Sequence, residues 1–101
     1  MPAFGQSVQD PDGREVVFDA GSHLHMALSR PALLSSIDTI MAAVKQPDYR
    51  EMDPLPDRER FYRRHVLDPR RWLRVVVDFG DMPGWVVTAM VQSDDPRRRM
   101  R

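Results

Sequence analysis

The chain has 101 residues, with 15 Lys and Arg, 15 Asp and Glu, three His, nine Pro, five Gly and no Cys. That length holds one small domain, and a hydrophobic content of 42% argues against a disordered chain. The lack of Cys removes disulfides and thiolate chemistry, no apolar run nears the ~20 residues of a membrane span, and no signal segment is visible, so a cytoplasmic protein away from membranes is expected.

Zero net charge hides an asymmetry. Residues 1–49 carry three bases and six acids, and residues 50–101 carry twelve Arg and nine acids. Within 58–74, seven Arg face only Glu59 and Asp68. Arg makes up fourteen of the fifteen bases, which fits either a genome rich in Arg codons or a local phosphate-binding surface. Overall neutrality argues against a high-affinity, non-specific nucleic-acid binder.

Residues 1–13 read as a flexible lead-in. Asp12-Gly13 is a turn signal, and Glu15 to Asp19 reads as a short strand. Ser22 is a fair N-cap for a helix over His23 to Arg30, with Leu24 and Leu28 on its core-facing side. Pro31 stops that helix and opens a second, in which Leu33, Ile37, Ile40 and Val44 form the clearest amphipathic stripe of the chain. The second helix ends before Pro47. Residues 52–56 read as a proline-held loop. Arg58 to His65 reads as an exposed or edge strand. Trp72 to Phe79 is a strand with Leu73, Val75, Val77 and Phe79 on one face. Residues 80–84 form a hairpin loop, and Trp85 to Val91 is the returning strand. Residues 93–101 are a basic tail. The expected fold is one α+β domain over 14–92: two N-terminal helices packed on a four-stranded, mostly antiparallel sheet, in the order β-α-α-β-β-β.

Few residues carry obvious chemistry. His23 and His25 would share a face on a strand and could hold a metal there, but on a helix they point ~200° apart, so no metal site is expected. His25 reads either as a core-edge side chain or as an acid–base group. On a strand, Arg58, Arg60, Tyr62 and Arg64 share a face, so an aromatic among guanidinium groups could stack a base while the arginines hold phosphates. The plainer reading is a solvated row opposite a core Phe61. No phosphate loop, dinucleotide fingerprint or nucleophile elbow is present.

His25-Met26-Ala27-Leu28-Ser29-Arg30-Pro31-Ala32-Leu33 resembles the motif His-Ile-x-x-x-His-Pro-Glu-Leu of small phage- and bacteria-borne domains. Those domains are assigned to the barnase–EndoU–colicin–RelE-like nuclease superfamily. Gln46 to Tyr49, Arg58 to Arg64, Trp72 to Val77 and Gly84 to Ala89 resemble its later motifs in order, so the likeness spans about residues 14–92. The resemblance implies a two-helix, four-stranded fold and a cofactor-free, metal-independent endoribonuclease of toxin type that drives 2′-hydroxyl attack on phosphate. It casts His25 as acid–base group, Arg30 and Arg64 as phosphate-stabilising cations, and Thr88 as a sheet-borne polar contact. Arg58, Arg60, Tyr62 and Arg74 would bind RNA. Two motif residues differ: Arg30 replaces the second histidine and Ala32 the glutamate. Arg30 can stabilise charge but cannot shuttle protons.

Two readings follow from different classes. One is the toxin-type ribonuclease, with RNA as substrate and a cognate antitoxin or immunity protein as partner. The other is a non-catalytic relative that binds RNA or a protein, as an antitoxin or phage assembly component would.

Overall fold

The computed structural model describes residues 5–100. Its elements run β1 (Gln6–Gln9), β2 (Glu15–Phe18), α1 (Ala20–Ser29), a 3-10 helix (Pro31–Ser36), α2 (Ile37–Lys45), β3 (Tyr49–Met52), β4 (Arg58–Arg64), β5 (Trp72–Asp78), β6 (Gly84–Gln92) and a final 3-10 helix (Pro96–Met100). All six strands join one sheet in the order β1-β2-β6-β5-β4-β3. Every neighbouring pair is antiparallel except β2 and β6, which are parallel.

This corrects the four-stranded expectation. Two short strands, β1 and β3, add to the four expected, so the helices follow two strands rather than one. β1 lies within residues 1–13. It pairs with β2 because Asp10 builds the turn: its Oδ1 accepts from the backbone N–H of Asp12 at 3.0 Å and of Arg14 at 2.8 Å. Gly13 takes the positive φ of +83° that the turn needs. β3 pairs with β4, so Arg58–Arg64 is an interior strand and not an edge. The exposed edges are β1 and β3.

The α1 N-cap is Asp19, not Ser22. Its carboxylate accepts from the Ser22 N–H at 2.9 Å, and the Ser22 hydroxyl accepts from the Asp19 N–H at 3.2 Å. Ser22 therefore sits inside the first turn and is buried. Ser22 and Met26, four residues apart, form the buried stripe, and Leu24 and Leu28, ~200° from Met26 around the helix, are 62% and 81% exposed. The expected core face of α1 is thus its outer face. The second helix is split: its expected first part, Pro31–Ser36 with Leu33, is 3-10, and α2 begins at Ile37. Its stripe holds, with Ile40 and Val44 fully buried and Leu33 and Ile37 packed against the core while half-exposed.

The helices cover one face of the sheet, where Val16, Phe18, Phe61, Leu73, Val75, Val77, Val86 and Ala89 meet Met26, Ile40, Met41, Ala43 and Val44. Val86 and Ala89 have opposite parity, so neither alternating row of β6 supplies the core alone. An irregularity explains it: Val77 pairs with Val86 but Val76 pairs with Thr88, so Val87 is an extra residue that switches the phase of β6. The other sheet face carries no α-helix, and the final 3-10 helix reaches it at one end, where Arg97 lies against Trp72. No described helix is long and apolar enough to cross a membrane.

Candidate functional site

Strand alternation sorts the candidate residues between two layers. Arg58, Arg60, Tyr62 and Arg64 of β4 lie opposite Asp78, Val76, Arg74 and Trp72 of β5, and Val76 and Arg74 lie opposite Thr88 and Met90 of β6. All these point away from the helices, because their neighbours Phe61, Leu73, Val75 and Val77 fill the core. The open face thus gathers Arg58, Arg60, Tyr62, Arg64, Arg74 and Thr88. His25 belongs to α1 and Arg30 is its C-cap, so both lie in the helix layer. Both are exposed, but the sheet separates them from the arginine row.

Most charges on the open face are neutralised there. Arg60 donates from Nε to Asp53 Oδ1 at 2.7 Å and from Nη1 to Glu51 Oε2 at 3.3 Å. The Tyr62 hydroxyl donates to the same Glu51 oxygen at 2.5 Å. Arg58 Nε lies 3.4 Å from Asp78 Oδ2. Burial raises the pKa of the Asp53 carboxyl, but the Leu55 N–H and the Arg60 guanidinium outweigh it and hold the group below its ordinary value. Glu51 and Asp53 escaped the sequence reading because β3 is only four residues long and runs into Asp53-Pro54.

The aromatic component differs from expectation. Tyr62 is fully buried and Trp72 is 4% exposed, so neither ring offers a free face to a base. Tyr49 packs on Tyr62 with ring centroids 5.8 Å apart, and Trp72 meets Tyr62 edge-on at 6.5 Å. The guanidinium groups of Arg64 and Arg97 lie 5.5 Å and 5.1 Å from the Trp72 ring centroid. Arg97 is held in turn by Asp95, whose pKa the guanidinium draws down to about 2.

Arg64 and Arg74 stand apart. Neither has an ion pair among the described residues. Arg74 lies between Tyr62 and Met90 across the strands, half-buried; its Nη2 reaches only Met90 Sδ, and its Nε is buried without a hydrogen-bond partner. Thr88, two residue pairs along the sheet on the same face, adds a half-exposed hydroxyl. Chemically this is an anion-binding arrangement: a half-buried guanidinium fork on the same face as a hydroxyl, with no ion-paired carboxylate among the described residues. Among the described residues no three His, Asp or Glu side chains gather as a metal site requires.

Comparison with known families, with curated proteins and with solved structures finds no match for this chain.

Proposed function

We propose that the open sheet face binds the phosphate backbone of single-stranded RNA, with Arg74 and Arg64 as the cations, and that the protein does so without cleaving it. The observation that carries this reading is Arg74: a half-buried guanidinium at the middle of the open face, with Thr88 nearby and no acidic partner. A half-buried guanidinium with an unsatisfied Nε has hydrogen-bonding capacity to spare, and a phosphate would use it. The resemblance to nuclease-like domains supports RNA as the class of ligand. The non-catalytic form is favoured because the acid–base candidate His25 and its neighbour Arg30 belong to the helix layer, while Glu51, Asp53 and Asp78 are engaged by Tyr62, Arg60 and Arg58.

The test is a salt titration of RNA binding by fluorescence anisotropy. Arg74→Gln weakens binding alike for all sequences and lowers the slope of log K against log salt by about 0.7, the expected contribution of one phosphate contact on a single strand. An unchanged slope in the Arg64→Gln, Arg74→Gln double variant would overturn the assignment. RNA incubated with the protein in excess chelator stays intact; new cleavage ends would replace this reading with the endoribonuclease.

A further inference from the structure

The two ends of the open sheet face carry opposite charge. At one end Arg58 of β4 lies opposite Asp78 of β5, and at the other Arg64 lies opposite Trp72. Beyond the first pair the β3–β4 loop meets the β5–β6 hairpin, where the Phe79 N–H donates to the Asp57 carbonyl at 2.7 Å. Asp57 and Asp81 are exposed there, and neither carboxylate has an ion pair among the described residues. The cations at that end, Arg58 and Arg60, are held by Asp78 and Asp53. Beyond the second pair the His65 N–H donates to the Arg71 carbonyl at 3.0 Å, and the β4–β5 loop carries Arg70 and Arg71. Both are exposed; Arg70 has no ion pair among the described residues, and Arg71 lies 3.9 Å from Asp68. The zero net charge of the chain is therefore divided along the strand axis.

We infer that an RNA strand held at Arg74 runs along β5 toward the β4–β5 loop, where Arg70 is a further phosphate contact, and away from the β5–β6 hairpin. This inference rests on the phosphate-binding reading above and adds to it a direction and a residue. From Arg74 the next β5 residue on the open face is Trp72, whose partner on β4 is Arg64. The Trp72 ring is covered by the Arg64 and Arg97 guanidinium groups, so the surface met there is cationic rather than aromatic. Arg70 follows two residues further on. At ~3.3 Å per residue the stretch from Arg74 to Arg70 spans at most ~13 Å, so Arg74, Arg64 and Arg70 make one short track of cations without ion-paired carboxylates. In the other direction the open face of β5 offers Val76 and then Asp78, with Asp57 and Asp81 beyond. A phosphate moving that way meets no unpaired cation and is repelled by the two exposed carboxylates.

The test compares the two ends in one assay, the salt dependence of binding to a fluorescein-labelled oligouridylate. Arg70→Gln lowers the magnitude of the slope of log K against log salt by about 0.7, one phosphate contact on a single strand, and this loss adds to that of Arg74→Gln. Arg70→Lys restores the slope, because the slope counts charges rather than guanidinium forks. Asp81→Lys leaves it unchanged, because the added cation lies off the path. Both side chains are exposed, so circular dichroism of the variants matches the wild type. A wild-type slope in Arg70→Gln, with Arg74→Gln still lowering it, overturns the direction and leaves the Arg74 site standing. A slope raised by about 0.7 in Asp81→Lys also overturns it, by placing the strand over the hairpin. A wild-type chain that binds no oligouridylate overturns the phosphate-binding reading itself and this inference with it.

Discussion

Arg14 Nη2 lies 2.6 Å from Glu59 Oε2, joining the β1–β2 turn to β4, three positions from β2 in the sheet. The same guanidinium donates from Nε to Asp10 Oδ2 at 2.9 Å and lies 3.7 Å above the Phe79 ring. Arg50 adds a second bridge, with Nη2 at 2.8 Å from Asp12 Oδ2 and 3.0 Å from Glu59 Oε1. The hairpin that the sequence hides is therefore tied across the helix-side face of the sheet by two arginines and three carboxylates. The Asp10 side chain is wholly buried in this cluster, so the cluster holds only if it is complete.

Arg14→Ala leaves the buried Asp10 carboxylate with only the Arg50 guanidinium, 3.9 Å away. The expected loss is about 2–4 kcal/mol, in the range for breaking a buried ion pair. Arg14→Lys recovers part of it, because a lysine keeps the charge but not the fork or the stacking on Phe79. Urea denaturation measures both; a loss under about 0.5 kcal/mol for Arg14→Ala, a surface-pair value, would contradict the clamp.

Within α2, burial separates two isoleucines that the sequence stripe treats alike. Ile40 is fully buried and Ile37 is partly exposed. Ile40→Ala should cost about 2–5 kcal/mol, and Ile37→Ala roughly 1 kcal/mol. Equal losses in thermal or chemical unfolding would mean that the helix begins its core contact one turn earlier.

Gly84 opens β6, paired with Val16 across the parallel junction. A Cβ there would stand 2.6 Å from Phe79 Cε1 and 2.7 Å from its Cδ1. The ring cannot swing away freely because Arg14 lies on it. Gly84→Ala should destabilise by about 1–3 kcal/mol through overpacking. Trimming the ring in Gly84→Ala, Phe79→Leu should recover part of that loss, and strict additivity of the two changes would refute the contact.

Acid should weaken the fold through particular pairs. The Asp12 carboxyl lies below its ordinary value of 3.8 because of the Arg50 hydrogen bond and charge, and Asp53 is lowered as well. Each group is more acidic folded than unfolded, so the unfolded chain takes up more protons as pH drops. Their stabilisation is fully present above about pH 4 and disappears as pH falls through the folded values. Asp53→Asn should flatten the decline of Tm below pH 4 and lower Tm at pH 7. A decline as steep as that of the wild type would show that Asp53 does not contribute.

Local signals in the chain determined those elements whose side-chain pattern is long enough to be periodic. The Leu33–Val44 stripe announced α2, and the alternation of Leu73, Val75, Val77 and Phe79 announced both β5 and the face it buries. The same alternation placed Arg58, Arg60, Tyr62 and Arg64 together, because a strand's period of two is a property of the backbone and needs no tertiary context. The turn at Asp12-Gly13 was legible for the same local reason. Only the tertiary structure decided what these elements meet. β1 and β3 have four residues each, too few for a period, and exist because β2 and β4 supply their hydrogen bonds. α1 has apolar residues on two sides, and packing buried Met26 beside Ser22 and left Leu24 and Leu28 outward. The extra residue in β6 put Val86 and Ala89 on one side. Long-range pairing also divided the arginines: carboxylates on β3, its following loop and β5 engage Arg60 and Arg58, while Arg74 faces Met90 and has no counter-charge. A charge pattern is written along the chain, but which charges remain available depends on neighbours that are distant in sequence.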